Sequence, residues 1–128
     1  MKSSAVYLRW VVLFAYAGLI FFLSSREIPP AFLPPIPHID KLAHVLEYGL
    51  LAVLCFRALW CERGRPTPFW VLILGVVLTM VYGAADEFHQ YFIPTREFSW
   101  LDLAADGVGA AMASALWEPV TGKFRWLR

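Results

Sequence analysis

The stretch FWVLILGVVLTMVYGAADEFHQY, residues Phe69–Tyr91, begins as a long apolar run and ends with several polar side chains. A helix of about 20 apolar residues can cross a hydrocarbon core about 30 Å thick. Inside lipid, such a segment must be helical because its backbone has no other hydrogen-bond partners. Asp86 lies about 7 Å before Tyr91 along a helix. The stretch therefore predicts a membrane helix with a carboxyl group below one surface.

Three further apolar runs occur in this 128-residue chain, which is 59% hydrophobic. Soluble domains are only about 45–50% apolar. The sequence therefore predicts an all-α protein, an integral membrane bundle of four transmembrane helices at about 7–23, 41–60, 69–91 and 101–117. The length fits a single domain, residues 1–128. Five prolines predict an extended connection between the first two helices, namely Pro29, Pro30, Pro34, Pro35 and Pro37.

Lysine and arginine are divided unequally between the two sides of the predicted membrane. With the N-terminus inside, eight lie on the inner side and only Arg26, Lys41 and Arg96 on the outer side. The positive-inside rule then predicts that both termini are cytoplasmic, in a multi-pass protein of the bacterial plasma (inner) membrane. Eight acids and all three histidines fall on the outer side, which gives it a formal charge of −5.

The net charge argues against a nucleic-acid partner, and the cysteine spacing argues against a cysteine-based redox or zinc site. A net charge of +1 disfavours a nucleic-acid partner, which requires a concentrated basic patch. Cys55 and Cys61 are six residues apart, which fits neither a CxxC motif nor a zinc ligand set. On the cytoplasmic side they are expected to be reduced, structural thiols.

Ionisable residues on three predicted helices share one depth and one helix face each. Helical periodicity groups them into stripes, which are Asp40, His44 and Glu47; Tyr82, Asp86, His89 and Gln90; and Asp102, Asp106, Gly109 and Ala113. Charges at this depth cost a few kcal/mol each and normally face the bundle interior or a cavity. Small residues below them allow close helix packing. The stripes predict a packed bundle with a polar pocket at its outer mouth.

Three motifs in these stripes carry a resemblance to a known family. They are Asp40-Lys41-x-x-His44-x-x-x-Tyr48; Asp86-Glu87-x-x-Gln90 followed by Pro94-x-Arg96; and Ser99-x-x-Asp102-x-x-x-Asp106-x-x-Gly109. In this order, over nearly the whole chain, they resemble the VanZ-like family, and the neighbourhood of Ser24 and Ser25 also fits. Asp106 stands where that family more often has asparagine. The family name comes from low-level teicoplanin resistance, so the resemblance implies a cell-envelope function linked to antibiotic resistance.

The first functional hypothesis is a binding site. The pocket would hold an envelope lipid, a cell-wall headgroup or a glycopeptide-related ligand, with lysine and arginine contacting its phosphate. The candidate ligand-binding residues are Asp40, Lys41, His44, Glu47, Tyr48, Asp86, Glu87, His89, Gln90, Arg96, Asp102 and Asp106.

The alternative is a membrane-embedded, metal-dependent or acid–base hydrolase or transferase that acts on a lipid headgroup. His44-x-x-Glu47 and Asp86-x-x-His89 place histidine and carboxylate on one helix face, as in four-helix di-metal proteins. A divalent cation is the cofactor that this reading suggests, with His44, Asp86 and His89 as candidate ligands. The sequence assigns no catalytic residue.

Two further readings concern structure rather than chemistry. The polar cluster could be a buried ion-pair network that fixes helix register. The small-residue faces are also compatible with a homodimer. A transporter is disfavoured because the inner halves carry no matching polar track.

Overall fold

A computed structural model describes the backbone of residues 2–27, 36–60 and 66–123. It contains four helices, α1 (Lys2–Ser24), α2 (Ile39–Leu59), α3 (Phe69–Gln90) and α4 (Trp100–Lys123). The prediction of an all-α four-helix protein is confirmed. α1 begins before the predicted residue 7, and α4 ends after the predicted residue 117. The length of an apolar run predicts only the part of a helix that lies in hydrocarbon. The helix itself is longer, because its hydrogen bonds continue into the polar layer of the membrane.

Three of the four helices are long and apolar enough to cross a membrane, by length and composition. These segments are Ser4–Ser24, Ile39–Leu59 and Phe69–Gln90. The helix α4 has 24 residues but is less apolar, because acids and small residues replace large aliphatic side chains. Its acid Asp106 is fully buried against the other helices. α4 therefore completes the bundle with the side chain of Asp106 directed inward.

The helix α2 lies at the centre of the bundle. It packs against α1, α3 and α4, whereas α1 contacts α3 only slightly. One apolar cluster joins α1 to α2 around Leu13, Ile20 and Leu51. A second joins α2 to α4, where the rings of Phe56 and Trp117 meet edge to face at 5.5 Å. The central position of α2 allows its polar face to contact all three other helices.

The helices α2 and α4 approach each other closely where they cross at two glycines. A Cβ atom built on Gly109 would lie 3.0 Å from the backbone nitrogen of Gly49 and would collide with the carbonyl oxygen of Val45. The small-residue stripe of α4 is thus used for packing within one chain. A homodimer stays a prediction, and it would need a surface other than this one.

The two ends of the bundle differ in chemistry. At one end, Arg9 donates hydrogen bonds to the carbonyl oxygens of Arg57 and Trp60, each at 3.2 Å. These are carbonyls that the C-terminal turn of α2 leaves without helical partners. The acids and histidines of the predicted stripes lie at the opposite end. The acids and histidines therefore form one cluster, at the end of the bundle where α1 and α3 end and α2 and α4 begin.

Two predictions fall partly outside the described residues. The proline-rich connection is described only at its ends, so Pro29, Pro30, Pro34 and Pro35 are not covered, and neither is Cys61. Cys55 is a free, buried thiol, and its sulfur lies 3.9 Å from the hydroxyl of Thr79. This agrees with a structural role for Cys55.

The orientation in the membrane stays a prediction, and reporter fusions test it. Alkaline phosphatase fused after the C-terminus is expected to be inactive in a bacterial host, because the lysine and arginine asymmetry holds that end in the cytoplasm. The same enzyme fused after Thr95, in the connection from α3 to α4, is the matched control and is expected to be active. Activity at the C-terminus and none at Thr95 would reverse the orientation.

Candidate functional site

Asp86 joins three helices through hydrogen bonds. Its side chain is 4% exposed, and its Oδ1 accepts a hydrogen bond of 2.5 Å from the hydroxyl of Ser24. Its Oδ2 accepts from the hydroxyl of Tyr48 at 3.2 Å and from the amide of Gln90 at 3.0 Å. Hydrogen bonds to a carboxylate are stronger than those between neutral groups. The side chain of Asp86 is therefore well satisfied, and it ties α1 and α2 to α3.

His44 and Asp106 form a second contact, between α2 and α4. Nδ1 of His44 lies 2.8 Å from Oδ1 of Asp106, which is fully buried. The His44 ring stacks on Tyr48 with ring centroids 5.9 Å apart. Oδ2 of Asp106 has no hydrogen-bond partner among the described residues, and a Cβ atom on Gly83 would lie 2.7 Å from it. A glycine at position 83 thus makes room for the acid.

Glu87 and Asp102 lie beside this pair, at the start of α4. The backbone N–H of Ser99 donates to Oε2 of Glu87 at 2.9 Å, and the hydroxyl of Ser99 accepts from the N–H of Asp102 at 3.2 Å. The sequence pattern of Ser99 and Asp102 is thus an N-terminal helix cap. The ammonium of Lys41 lies 2.6 Å from Oδ2 of Asp40 and 2.5 Å from Oδ1 of Asp102. Lys41 therefore links the two acidic helix starts.

A cavity of about 540 Å³ opens between α1, α2 and α3. Seven of the twelve predicted ligand-binding residues line it, namely Asp40, His44, Glu47, Tyr48, Asp86, Gln90 and Arg96. Apolar side chains of Ile20, Leu23 and Ile39 complete the wall. The cavity therefore combines a polar interior with an apolar side.

The other five predicted residues do not line this cavity, so the expectation of one common pocket needs correction. Lys41, Glu87, Asp102 and Asp106 lie on the α4 side of His44. His89 faces α1 instead, with its Nε2 3.0 Å from the hydroxyl of Ser25. The physical reason is the position of His44, whose ring separates the cavity from the acids of α4. Equal depth on three helices does not by itself bring side chains to one space.

Two polar residues of the cavity were not predicted from the sequence as ligand contacts. Ser24 and Arg26 both line it. The Ser24–Ser25 neighbourhood was the available signal, since serines at the end of an apolar run are polar groups at the same depth as Asp86. Arg96, one of the predicted ligand-binding residues, lines the cavity and donates to the carbonyl oxygen of Arg26 at 3.3 and 3.4 Å. The partners of Asp86 are hydroxyl and amide groups rather than Arg96.

One group of residues has the geometry to hold a metal ion. His44, Glu87 and Asp102 each offer one ligand atom, and these atoms lie within 4.8 Å of one another. Of the three candidate ligands named from the sequence, this group contains only His44. Asp86 is occupied by three donors, and His89 is directed towards α1.

Comparison with known proteins gives the family. The family model described as VanZ/LLP1 matches residues 3–121. The chain belongs to the VanZ/LLP1 family. The match includes every residue of the cavity and of the acidic group on the α4 side. Both therefore lie within the VanZ/LLP1 region of the chain.

One curated relative comes from a yeast rather than from a bacterium. An uncharacterized protein of the fission yeast Schizosaccharomyces pombe is 28% identical over 115 residues, which cover 90% of this chain. The chain spans about 62% of that relative's length. No solved structure matches. The protein is a multi-pass membrane protein of this family, while its location in a bacterial plasma membrane stays a prediction.

Proposed function

We propose that this VanZ/LLP1 protein binds the phosphate-bearing headgroup of a membrane lipid in the cavity between α1, α2 and α3. The observation that carries the proposal is the composition of that cavity. Ile20, Leu23 and Ile39 supply an apolar side, and Arg26 and Arg96 are the two basic residues of the lining. The guanidinium of Arg26 lies over the ring of Phe22, 4.4 Å from its centroid. Its volume lies within the usual range of about 300–1,000 Å³ for small-molecule sites. An apolar wall beside cationic donors suits an acyl chain joined to a phosphate.

The arrangement of charges supports an anionic ligand despite the acidic character of this end. Both oxygens of Asp86 already accept hydrogen bonds, and Asp40 is paired with Lys41. The acids of α4 lie behind His44. Arginine can form two parallel hydrogen bonds to one phosphate, because its guanidinium group is planar. The ammonium group of lysine acts only as a point charge. Glu47, which remains in the cavity wall, would accept hydrogen bonds from an amine or hydroxyl group of the same headgroup.

An envelope lipid and a lipid-linked cell-wall headgroup share this chemistry. Both join a long acyl or prenyl chain to a phosphate, and the cavity would recognise that junction. A link to teicoplanin-type resistance would follow if the lipid carries a cell-wall precursor, since glycopeptides act on such precursors. The comparison of the two lipids is therefore part of the test.

Lipid retention by the Arg96→Gln variant tests the proposal. The wild-type protein is expected to retain phospholipid or prenyl phosphate through mild detergent, as measured by native mass spectrometry. Losing one charge-assisted hydrogen bond costs about 1.5–3 kcal/mol, so retention should fall about 10-fold or more. Arg57→Gln makes the same charge change near the other end of α2 and should leave retention unchanged. Equal retention by wild type and Arg96→Gln would contradict the proposal.

The alternative, an enzyme acting on the same headgroup, is favoured by one specific observation. His44 lines the cavity while its Nδ1 contacts the buried Asp106. A carboxylate that orients a histidine is the usual arrangement of a general base. Release of headgroup from vesicles, followed by phosphorus NMR and lost in His44→Gln, would support hydrolysis. No release by the wild-type protein would leave binding as the function.

A further inference from the structure

We infer that His44, Glu87 and Asp102 bind a divalent transition-metal cation on the α4 side of the lipid cavity. The three ligands come from α2, α3 and α4 and offer atoms within 4.8 Å of one another. Metal binding at this place goes beyond headgroup binding, because neither the arginines nor the apolar wall of the cavity is among the three ligands.

An unpartnered oxygen of Glu87 points to a ligand. The side chain is fully buried, and only its Oε2 accepts a hydrogen bond, from the backbone N–H of Ser99. Oε1 has no hydrogen-bond partner among the residues that the structure describes. A buried charged group left without a partner is costly. Metal coordination by Oε1 would remove that cost.

The orientation of His44 supports the same site. Its Nδ1 is engaged by Oδ1 of Asp106, which leaves Nε2 as the nitrogen available to a metal. Histidine ligands commonly present their second ring nitrogen to a carboxylate, which fixes the tautomer and the ring direction. Stacking on Tyr48 restrains the same ring from its face. Asp106 is therefore a positioning residue rather than a ligand.

The charge of the group matches a divalent ion. Glu87, Asp102 and Asp106 bring three carboxylates, and Lys41 contacts Asp102 with one ammonium. Lys41 also contacts Asp40, and with that carboxylate the formal balance is −3 when His44 is neutral, so a divalent cation would neutralise most of it. Lys41 touches Oδ1 of Asp102, and the other oxygen of that carboxylate remains available for coordination.

The donor set indicates the class of metal. One imidazole nitrogen with two carboxylate oxygens suits zinc or a similar transition metal, whereas magnesium prefers oxygen ligands and retained waters. Three protein ligands leave a fourth position open, which is the pattern of catalytic rather than structural zinc sites. The ligand atoms must move closer together to reach zinc bonds of about 2.0–2.2 Å.

Metal binding by the full-length protein in lipid nanodiscs tests this inference. After chelator treatment, the protein is titrated with zinc alone, and bound metal is measured by elemental analysis after desalting. The wild-type protein is expected to bind one equivalent. Glu87→Gln and Asp102→Asn, which preserve side-chain shape, should lose this equivalent. Asp106→Asn should bind about 10–100-fold more weakly, as expected for a residue that orients a ligand. Glu97→Gln removes an exposed carboxylate from the same end of the bundle, outside this group, and should bind like wild type.

A measurement on the wild-type protein alone also tests metal binding, and it remains valid if a variant fails to fold. Zinc added to the chelated wild type should raise its thermal unfolding temperature, since a ligand that binds only the folded state stabilises it. Absence of both a bound equivalent and a stability shift would overturn the inference and leave an ion-pair network. Equal binding by Glu87→Gln, Asp102→Asn and wild type would overturn it as well. Lipid retention is measured separately, so failure here leaves headgroup binding standing.

Discussion

The Asp86→Leu variant is expected to be strongly destabilised and to accumulate poorly in the membrane. Leucine has the same branching as aspartate but accepts no hydrogen bonds. The substitution would leave the buried donors of Tyr48 and Gln90 without their acceptor, whereas Ser24 keeps the carbonyl oxygen of Phe21. Each unsatisfied buried group costs about 1–3 kcal/mol, so the total should reach about 2 kcal/mol or more.

Thermal unfolding and accumulation in detergent measure this effect. Ala85→Leu introduces the same side chain at the neighbouring exposed position and should be near neutral. Asp86→Asn should be much milder than Asp86→Leu, because its oxygen still accepts and the two hydroxyls can reverse their roles. A stable Asp86→Leu protein would show that the three hydrogen bonds do not hold α1 and α2 to α3.

The second large effect is expected at the crossing of α2 and α4. Gly109→Ala places a methyl group against the carbonyl oxygen of Val45 and 3.0 Å from the nitrogen of Gly49. Both obstacles are backbone atoms, so a rotamer change cannot relieve the clash and the helices must separate. Overpacking typically costs about 1–3 kcal/mol, and a clash with backbone should lie at the upper end.

Gly18→Ala is the matched control for this prediction. Position 18 is also a helical glycine, but a Cβ atom there meets nothing within 4 Å. That variant should be neutral or slightly stabilising, since alanine is the better helix former. Unfolding temperatures of the two alanine variants, measured in the same detergent, should therefore differ clearly. Equal temperatures would mean that α2 and α4 do not cross as closely as described.

The helical segments and the depth of their polar groups could be predicted from the sequence, because both follow from the regular geometry of the α-helix. A rise of 1.5 Å per residue places His44, Asp86 and Asp106 in one layer, and a repeat of 3.6 residues selects their helix faces. The contact between His44 and Asp106 is consistent with both arguments. The family resemblance covered the same motifs and was confirmed by the match over residues 3–121.

The division of the polar residues could not be predicted from these periods. It depends on the rotation of each helix about its axis, which the crossing at Gly49 and Gly109 fixes. A rotation of α4 by part of a turn would have placed Asp106 in the cavity. The approach of Ser24 to Asp86 likewise depends on how α1 packs on α2, because sequence separation gives no register between helices.

The most direct test of headgroup binding uses the side chain of Gln90. This is the only side-chain amide in the sequence, which contains no asparagine, so selection for NH2 groups separates its nitrogen from the backbone amide signals. Gln90 lines the cavity and is 5% exposed, and it is therefore shielded from bulk headgroups. The measurement is solid-state NMR dephasing of the Gln90 amide nitrogen by lipid phosphorus, on nitrogen-labelled protein in phospholipid bilayers. Headgroup binding predicts dephasing that is lost in Arg96→Gln. An amide signal that phosphorus leaves unchanged in the wild-type protein would contradict the proposed function.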